Sequence, residues 1–215
     1  MRNRHQPIAV EGYPFIAFFA FLTLVFSGFS WSCLTTICLG LTLFTVYFFR
    51  NPERTPPDDV KAIVAPADGK VIFVGKVPEN RYFDGQEVIK VSIFMNVFNV
   101  HVNRVPFDCK VLDQFYNKGR FLNASLDKAS LENEQSGMLL ETETGIKVLC
   151  VQIAGLVARR IVSYPENGDQ LKRGQRYGLI RFGSRVDLYF PEGVEVLSMI
   201  GDKTVAGESE LGYLP

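Results

Sequence analysis

PFIAFFAFLTLVFSGFSWSCLTTICLGLTLFTVYFF, residues 14–49, contains no charged side chain and divides the chain into two regions of different chemistry. A helix crossing a hydrocarbon core needs about 20 apolar residues, with ~17 as the short limit. The run is too long for one crossing and just long enough for two. Small and polar residues cluster at Ser27-Gly28-Phe29-Ser30, and Trp31 beside them suits a membrane interface, so a tight helical hairpin is expected with its break there. A cleaved signal peptide and a re-entrant or interfacial hairpin are the competing readings. A second apolar stretch following at once speaks against the signal peptide. Arg2 and Arg4 precede the run, and Arg50, Arg54 and Lys61 follow it. That pattern places both ends, and all that follows, on the cytoplasmic side of the cell (inner) membrane.

After Asn51 the sequence changes to NPERTPPDD, a stiff, proline-rich linker. The expected organisation is a membrane-anchoring hairpin over 1–50, a linker over 51–60 and a β-rich domain over 61–215. In that last region KVIFVGK (70–76), EVIKVSIFM (87–95), DCKVLDQFY (108–116), GMLLETE (137–143), IKVLCVQIAG (146–155), RVDLYF (185–190) and VEVLSM (194–199) are rich in Val, Ile, Leu and Phe and bounded by turn residues. They predict a mainly β, antiparallel domain of sandwich or barrel-sandwich type. VAPADGKVIFVG and VEVLSMIGDKTVAGESELG echo the small lipoyl-carrier domains, but Lys70 begins a strand rather than tipping a hairpin, so the echo concerns architecture. Residues 119–136 lack strand alternation, and a short helix is expected at 126–131 with Ser125 near its N-cap.

The 215 residues are 47% hydrophobic and carry 23 basic and 23 acidic side chains. Such a balance gives a packed core but no basic field for nucleic acid. The four cysteines and two histidines form no cluster with metal-ligand spacing, so no metal is expected. Imidazole chemistry would fall to His101.

Three polar positions stand out against the strands: Asp68 in APADGK, His101 in MNVFNVHVNRVP and Ser184 in RFGSRVD. Singly, Asp68-Gly69 reads as a turn, His101 as a core or edge histidine, and Gly183-Ser184 as a bulge or strand corner. Together they are a carboxylate, an imidazole and a hydroxyl, the parts of an activated nucleophile. A serine hydrolase is one reading, but residues 182–186 lack the G-x-S-x-G elbow. A membrane-tethered β-sandwich protein without catalysis is another.

Several blocks in order, APADGKV, VSIFMNVFNVHVNRVP, ENEQ (132–135), VQIAGLVARRI (151–161) and GQRYGLIRFGSRVDLYFP (174–191), resemble the phosphatidylserine decarboxylases, in particular their short, membrane-hairpin form. The resemblance implies self-cleavage at Gly183-Ser184. The Ser184 hydroxyl attacks the Gly183 carbonyl, and elimination with loss of ammonia turns Ser184 into a pyruvoyl group. An α chain of 184–215 and a β chain of 1–183 would remain together as a heterodimer, with a higher oligomer left open. Glycine at 183 permits a strained backbone and close approach of the hydroxyl.

By the same resemblance Asp68 and His101 supply the base. Longer relatives carry H-x-x-H-M-P, whereas here His101 takes the first histidine position and Arg104 the second. The longer forms also often place Ser or Thr after the serine, where this chain has Arg185. The implied reaction converts phosphatidylserine to phosphatidylethanolamine and CO2 through a Schiff base with the pyruvoyl carbonyl, and His101 could return the proton. Lys118, Arg120, Arg159 and Arg160 are candidate contacts for substrate phosphate or carboxylate. A different seryl lipid, such as an archaetidylserine, is the alternative substrate.

Overall fold

The computed structural model describes residues 6–119, 124, 132–155, 160–181 and 183–215, which form two compact units, 1–53 and 54–215. The expected helix at 126–131 lies outside the described residues. In the first unit a 3-10 turn, Val10–Gly12, leads into α1 (Tyr13–Gly28), and α2 (Ser32–Phe48) follows after three residues. The connection at 29–31 falls one residue beyond the expected break, with Ser30 in the left-handed region at φ 57°. Hydrogen bonds from Ala9 N to Phe49 O and from Asn51 N to Pro7 O close the other end, so the helices run as an antiparallel hairpin. No residue of α1 is buried, and Phe21 and Leu24 are 63% and 73% exposed. An apolar helix half-buried along one face and bare on the other suits an apolar surrounding. Residues 10–28 are long and apolar enough to cross a membrane, whereas α2 is shorter.

The second unit is built from antiparallel β-structure. Its largest sheet has eight strands in the order β13 (Lys203–Thr204), β2 (Gly69–Glu79), β3 (Gln86–Met95), β11 (Ser184–Phe190), β7 (Lys147–Ala154), β6 (Gln135–Glu141), β5 (Cys109–Asn117) and β9 (Gln170–Leu171). Two three-stranded sheets complete it. One contains β4 (Val102–Arg104), β10 (Arg176–Ile180) and β8 (Ile161–Ser163), and the other β1 (Ala62–Val64), β14 (Glu210–Tyr213) and β12 (Glu195–Val196).

Alternation along β11 decides what each face of the large sheet meets. Val186, Leu188 and Phe190 point into the main core with Ile93, Val91 and Cys150, where the small sheets contribute Ile63, Tyr177 and Leu211. Arg185, Asp187 and Tyr189 project to the opposite face, where Leu149, Val151 and Ile153 form a second cluster with Tyr82, Phe83 and Phe115. Both faces are covered, which explains why β11 and β7 are apolar or buried at nearly every position.

The main strands lie where the sequence patterns place them, within three residues at each end. The run at 194–199 differs: only Glu195–Val196 is strand. The amides of Leu197 and Ser198 converge on the single carbonyl of Leu211, and the carboxylate of Asp202 then accepts from Met199 N at 2.7 Å, turning the chain. From Arg54 on, the proline-rich segment is fastened to the β unit. Arg54 reaches Asp68 and Glu208, and the Arg173 guanidinium donates to the carbonyls of Pro57, Asp59 and Ala62.

Candidate functional site

Ser184 is the first residue of β11, fully buried, and lies between Met95 of β3 and Ala154 of β7. Register with both neighbours runs unbroken to Phe190 on β3 and Tyr189 on β7, so Gly183-Ser184 is a corner at the strand entrance and not a bulge within it. Gly183 sets the corner with φ +59°, a conformation that costs an L-residue with a Cβ about 1–2 kcal/mol.

The carbonyl of Gly183 points at Gly155, the residue that follows β7. A β-carbon built on Gly155 would sit 1.9 Å from that oxygen and 3.3 Å from the Ala124 Cβ. Only glycine leaves room there. The neighbouring strand end is tied down in turn: Asn133 donates from Nδ2 to Ala154 O at 2.7 Å, and Ala154 N donates to Glu134 O.

A buried polar chain lies on the Ser184 side of the sheet. Ser184 Oγ lies 3.8 Å from Met95 Sδ, and Asn103 Nδ2 lies 3.6 Å from the same sulfur. Asn103 Oδ1 accepts from Gln152 Nε2 at 2.8 Å. Sulfur is a weak acceptor, so it holds the hydroxyl in place without polarising it strongly.

His101 is 2% exposed and lies just before β4. Its carbonyl accepts from Ile180 N, so it flanks the last residue of β10, three residues before Gly183. Ring Nδ1 sits 3.0 Å from the Asn99 carbonyl. A neutral ring donating there presents Nε2 as its basic nitrogen.

Asp68 occupies a bend rather than a hairpin turn, because Gly69 already begins β2. Its Oδ1 accepts from Ala206 N at 2.8 Å and its Oδ2 pairs with Arg54 Nη2 at 3.2 Å. Among the described residues no hydrogen bond joins Asp68 to His101. Asp68 and Ser184 thus come to one end of the large sheet, where Gly69, Met95, Ser184 and Ala154 lie side by side, while His101 enters a small sheet beside β10, and the carboxylate is committed to an arginine. Arg104, in the second histidine position, donates to Gly174 O at 2.7 Å.

Of the four basic candidates, Lys118 and Arg160 are exposed, while Arg120 and Arg159 lie outside the described residues. Lys118 follows β5 and Arg160 precedes β8, whose amide neighbour Arg181 N donates to Arg160 O. Beside them, burial and a hydrogen bond with Glu134 raise the Tyr116 phenol above its ordinary pKa. Two surface clefts, one around Lys110 and Gln170 and one around Phe83 and Pro191, are lined by none of these residues.

A left-handed glycine thus precedes a buried serine, with its carbonyl seated on a second glycine. Comparison with protein families matches residues 41–212 to the model described as phosphatidylserine decarboxylase. The chain belongs to the phosphatidylserine decarboxylase family. Similarity to members of this family extends over the full length of both chains. It is 62% identical over 214 residues to the phosphatidylserine decarboxylase proenzyme of Syntrophotalea carbinolica and 55% over 215 residues to that of Geotalea uraniireducens. With the same-named protein of Geobacter sulfurreducens the figure is 54% over 220 residues. Within this phosphatidylserine decarboxylase family member, Met95, Gly155, Asn103, Gln152 and Arg54 surround the candidate positions, and sequence reasoning did not single them out. Gly155 alone carried a signal, as the glycine that ends a strong strand pattern. Arg54 lies in a linker-like segment with nothing to announce its partner.

Proposed function

We propose that the chain decarboxylates phosphatidylserine to phosphatidylethanolamine and CO2, using a pyruvoyl group made from its own Ser184. The observation that carries this is Ser184 at the buried head of a central strand, behind a left-handed glycine whose carbonyl rests on Gly155. The full-length similarity to proteins named proenzymes supports it.

In the first step Ser184 Oγ bonds to the Gly183 carbonyl carbon, its proton passes to a base, and the peptide C–N bond breaks to leave an ester and a free amine. Loss of the Ser184 Cα proton then expels Gly183 as a carboxylate. Water replaces the resulting enamine nitrogen, which leaves as ammonia. Gly183 lowers the cost of the bent geometry, and Gly155 fixes the carbonyl that is attacked. Asp68 and His101 are the candidate proton carriers, with Asp68 held by Arg54 and Ala206 N.

The residues fit a pyruvoyl group at 184. The position is fully buried, flanked by Met95 and Ala154, and its register is set by two neighbouring strands. Such a group supplies a conjugated carbonyl that accepts the electron pair released with CO2. His101 is the candidate to hold and return the proton at the substrate carbon, through Nε2. Lys118 and Arg160, with Arg120 and Arg159, are the candidate contacts for phosphate or carboxylate. The helical hairpin would hold the domain at the inner membrane with its β unit on the cytoplasmic side, where the lipid substrate lies.

Intact mass spectrometry of purified protein tests the reading. Two chains, 1–183 and a blocked 184–215, are expected, and Ser184→Ala is expected to stay a single 24.2 kDa chain that releases no CO2. A wild-type protein that decarboxylates while uncut would sink the cofactor assignment. Headgroup analysis of lipids made by the purified enzyme separates phosphatidylserine from another seryl lipid.

A further inference from the structure

Arg185 follows the reacting serine but projects to the opposite sheet face, into a layer where its β7 neighbour is Ile153 and that of Asp187 is Val151. It is 1% exposed. The guanidinium meets Asp187 at two points, a hydrogen bond from Nη2 to Oδ2 at 3.0 Å and an ionic contact of Nε with Oδ1 at 2.8 Å, and Nη1 donates to the Ala124 carbonyl at 3.1 Å. Asp187 also pairs with Lys90 Nζ at 3.2 Å and accepts from Tyr189 OH at 3.5 Å.

Burying such a network among aliphatic side chains adds little stability compared with an apolar replacement of similar volume. What an arginine fork adds is direction. Its direction here matters because Ala124, Arg185's acceptor, is the residue whose Cβ abuts Gly155 beside the Gly183 carbonyl. On cleavage Ala124 and Lys90 would belong to one chain, and Arg185 and Asp187 to the other.

We propose that Arg185 is a positioning residue that holds residue 184 in strand register once the Gly183-Ser184 bond is gone. This rests on the cleavage reading above. A cut strand loses its tether at the first rung and frays there first. Residue 184 is that rung and would carry the reactive carbonyl. Arg185 pins the next rung from the far face, locked along its own strand by Asp187 and across the cut by Ala124 O. Lys90 pairs with the same carboxylate from β3, whereas the bond to the Ala124 carbonyl beside Gly155 comes from Arg185 itself.

Full-length Arg185→Met, Arg185→Lys and Lys90→Met, each compared with wild type, test this by intact mass, turnover per cleaved chain and hydrogen exchange of the peptide that begins at 184. Arg185→Met keeps the side-chain length and leaves Asp187 paired with Lys90. Its cleaved form is expected to exchange the 185–187 amides about tenfold faster, the weight of one charge-assisted hydrogen bond. Its kcat should fall by a similar factor at unchanged KM, with Arg185→Lys intermediate. Lys90→Met, which spares the fork and the Ala124 bond, should keep wild-type exchange. Wild-type exchange and kcat in cleaved Arg185→Met, or equal loss in Lys90→Met, would overturn the proposal. Should Arg185→Met accumulate uncleaved, Arg185→Lys decides alone: if cleaved, with wild-type exchange and kcat, it too overturns it. An uncut wild type would instead remove the cleavage reading itself.

Discussion

Gly155 and the Gly183 carbonyl oxygen are in such close apposition that a methyl carbon on Gly155 would lie 1.9 Å from that oxygen. Gly155→Ala must therefore push the carbonyl aside. Misplacing a reacting atom by about 1 Å costs on the order of 100-fold in rate. Self-cleavage of Gly155→Ala should slow by that order, followed as appearance of the 184–215 chain on a gel. Cleavage at the wild-type rate would mean that the seat on Gly155 is irrelevant to the reaction.

Arg54 and Asp68 form a partly buried ion pair whose members lie 14 residues apart, on either side of the short strand β1. A double-mutant cycle of Arg54→Met and Asp68→Asn, read by chemical denaturation, should return a coupling of about 1–3 kcal/mol. A coupling near zero would show that Ala206 N alone holds the carboxylate.

Cys109 and Cys150 sit in the main core, and burial pushes both thiols up to about 12. The thiolate is the reactive form. At pH 8 a thiol reagent should leave both untouched in native protein and reach them only after denaturation, whereas exposed Cys33 is open to it from the start. Peptide mapping of the labelled protein checks this.

Burial would raise the Asp108 carboxyl, but the Arg173 amide and the Lys172 ammonium at 2.8 Å more than offset it and hold its pKa below the ordinary value. The same pairing raises Lys172. A depressed acid contributes stability above its unfolded pKa and loses it as pH falls through the folded one. A raised base contributes below its unfolded pKa and loses it as pH rises through the folded one. The thermal stability difference between wild type and Asp108→Asn should hold across neutral pH and close at both extremes. A difference independent of pH would show that the Arg173 N–H bond, not charge, is what Asp108 supplies.

The large strands and the apolar hairpin were legible because their signals are local: alternation in EVIKVSIFM and the uncharged run over 14–49 depend on no distant partner. What the sequence concealed is set by pairing. VEVLSM alternates like a strand, but its ladder ends where two amides compete for one Leu211 carbonyl. Ser184, His101 and Asp68 were visible as residues out of place among apolar neighbours, and topology brings Ser184 and Asp68 to one end of the large sheet. The link from Asp68 to Arg54 was hidden, since a carboxylate's partner is a matter of folding across sequence distance. Arg185 stood out only as a departure from the longer relatives, and its burial was hidden because the second apolar layer that covers it is built from strands far along the chain.

The placement of β11 between β3 and β7 makes the chemistry conditional on assembly. Gly183 meets Gly155 only when the strand has been laid into the middle of the sheet, with partners from both earlier halves of the unit already present. A misfolded copy could not bring the two glycines together and would stay a single inert polypeptide. Under the proposed chemistry, then, the scission serves as a certificate of correct folding, issued by the molecule to itself before it can touch a lipid.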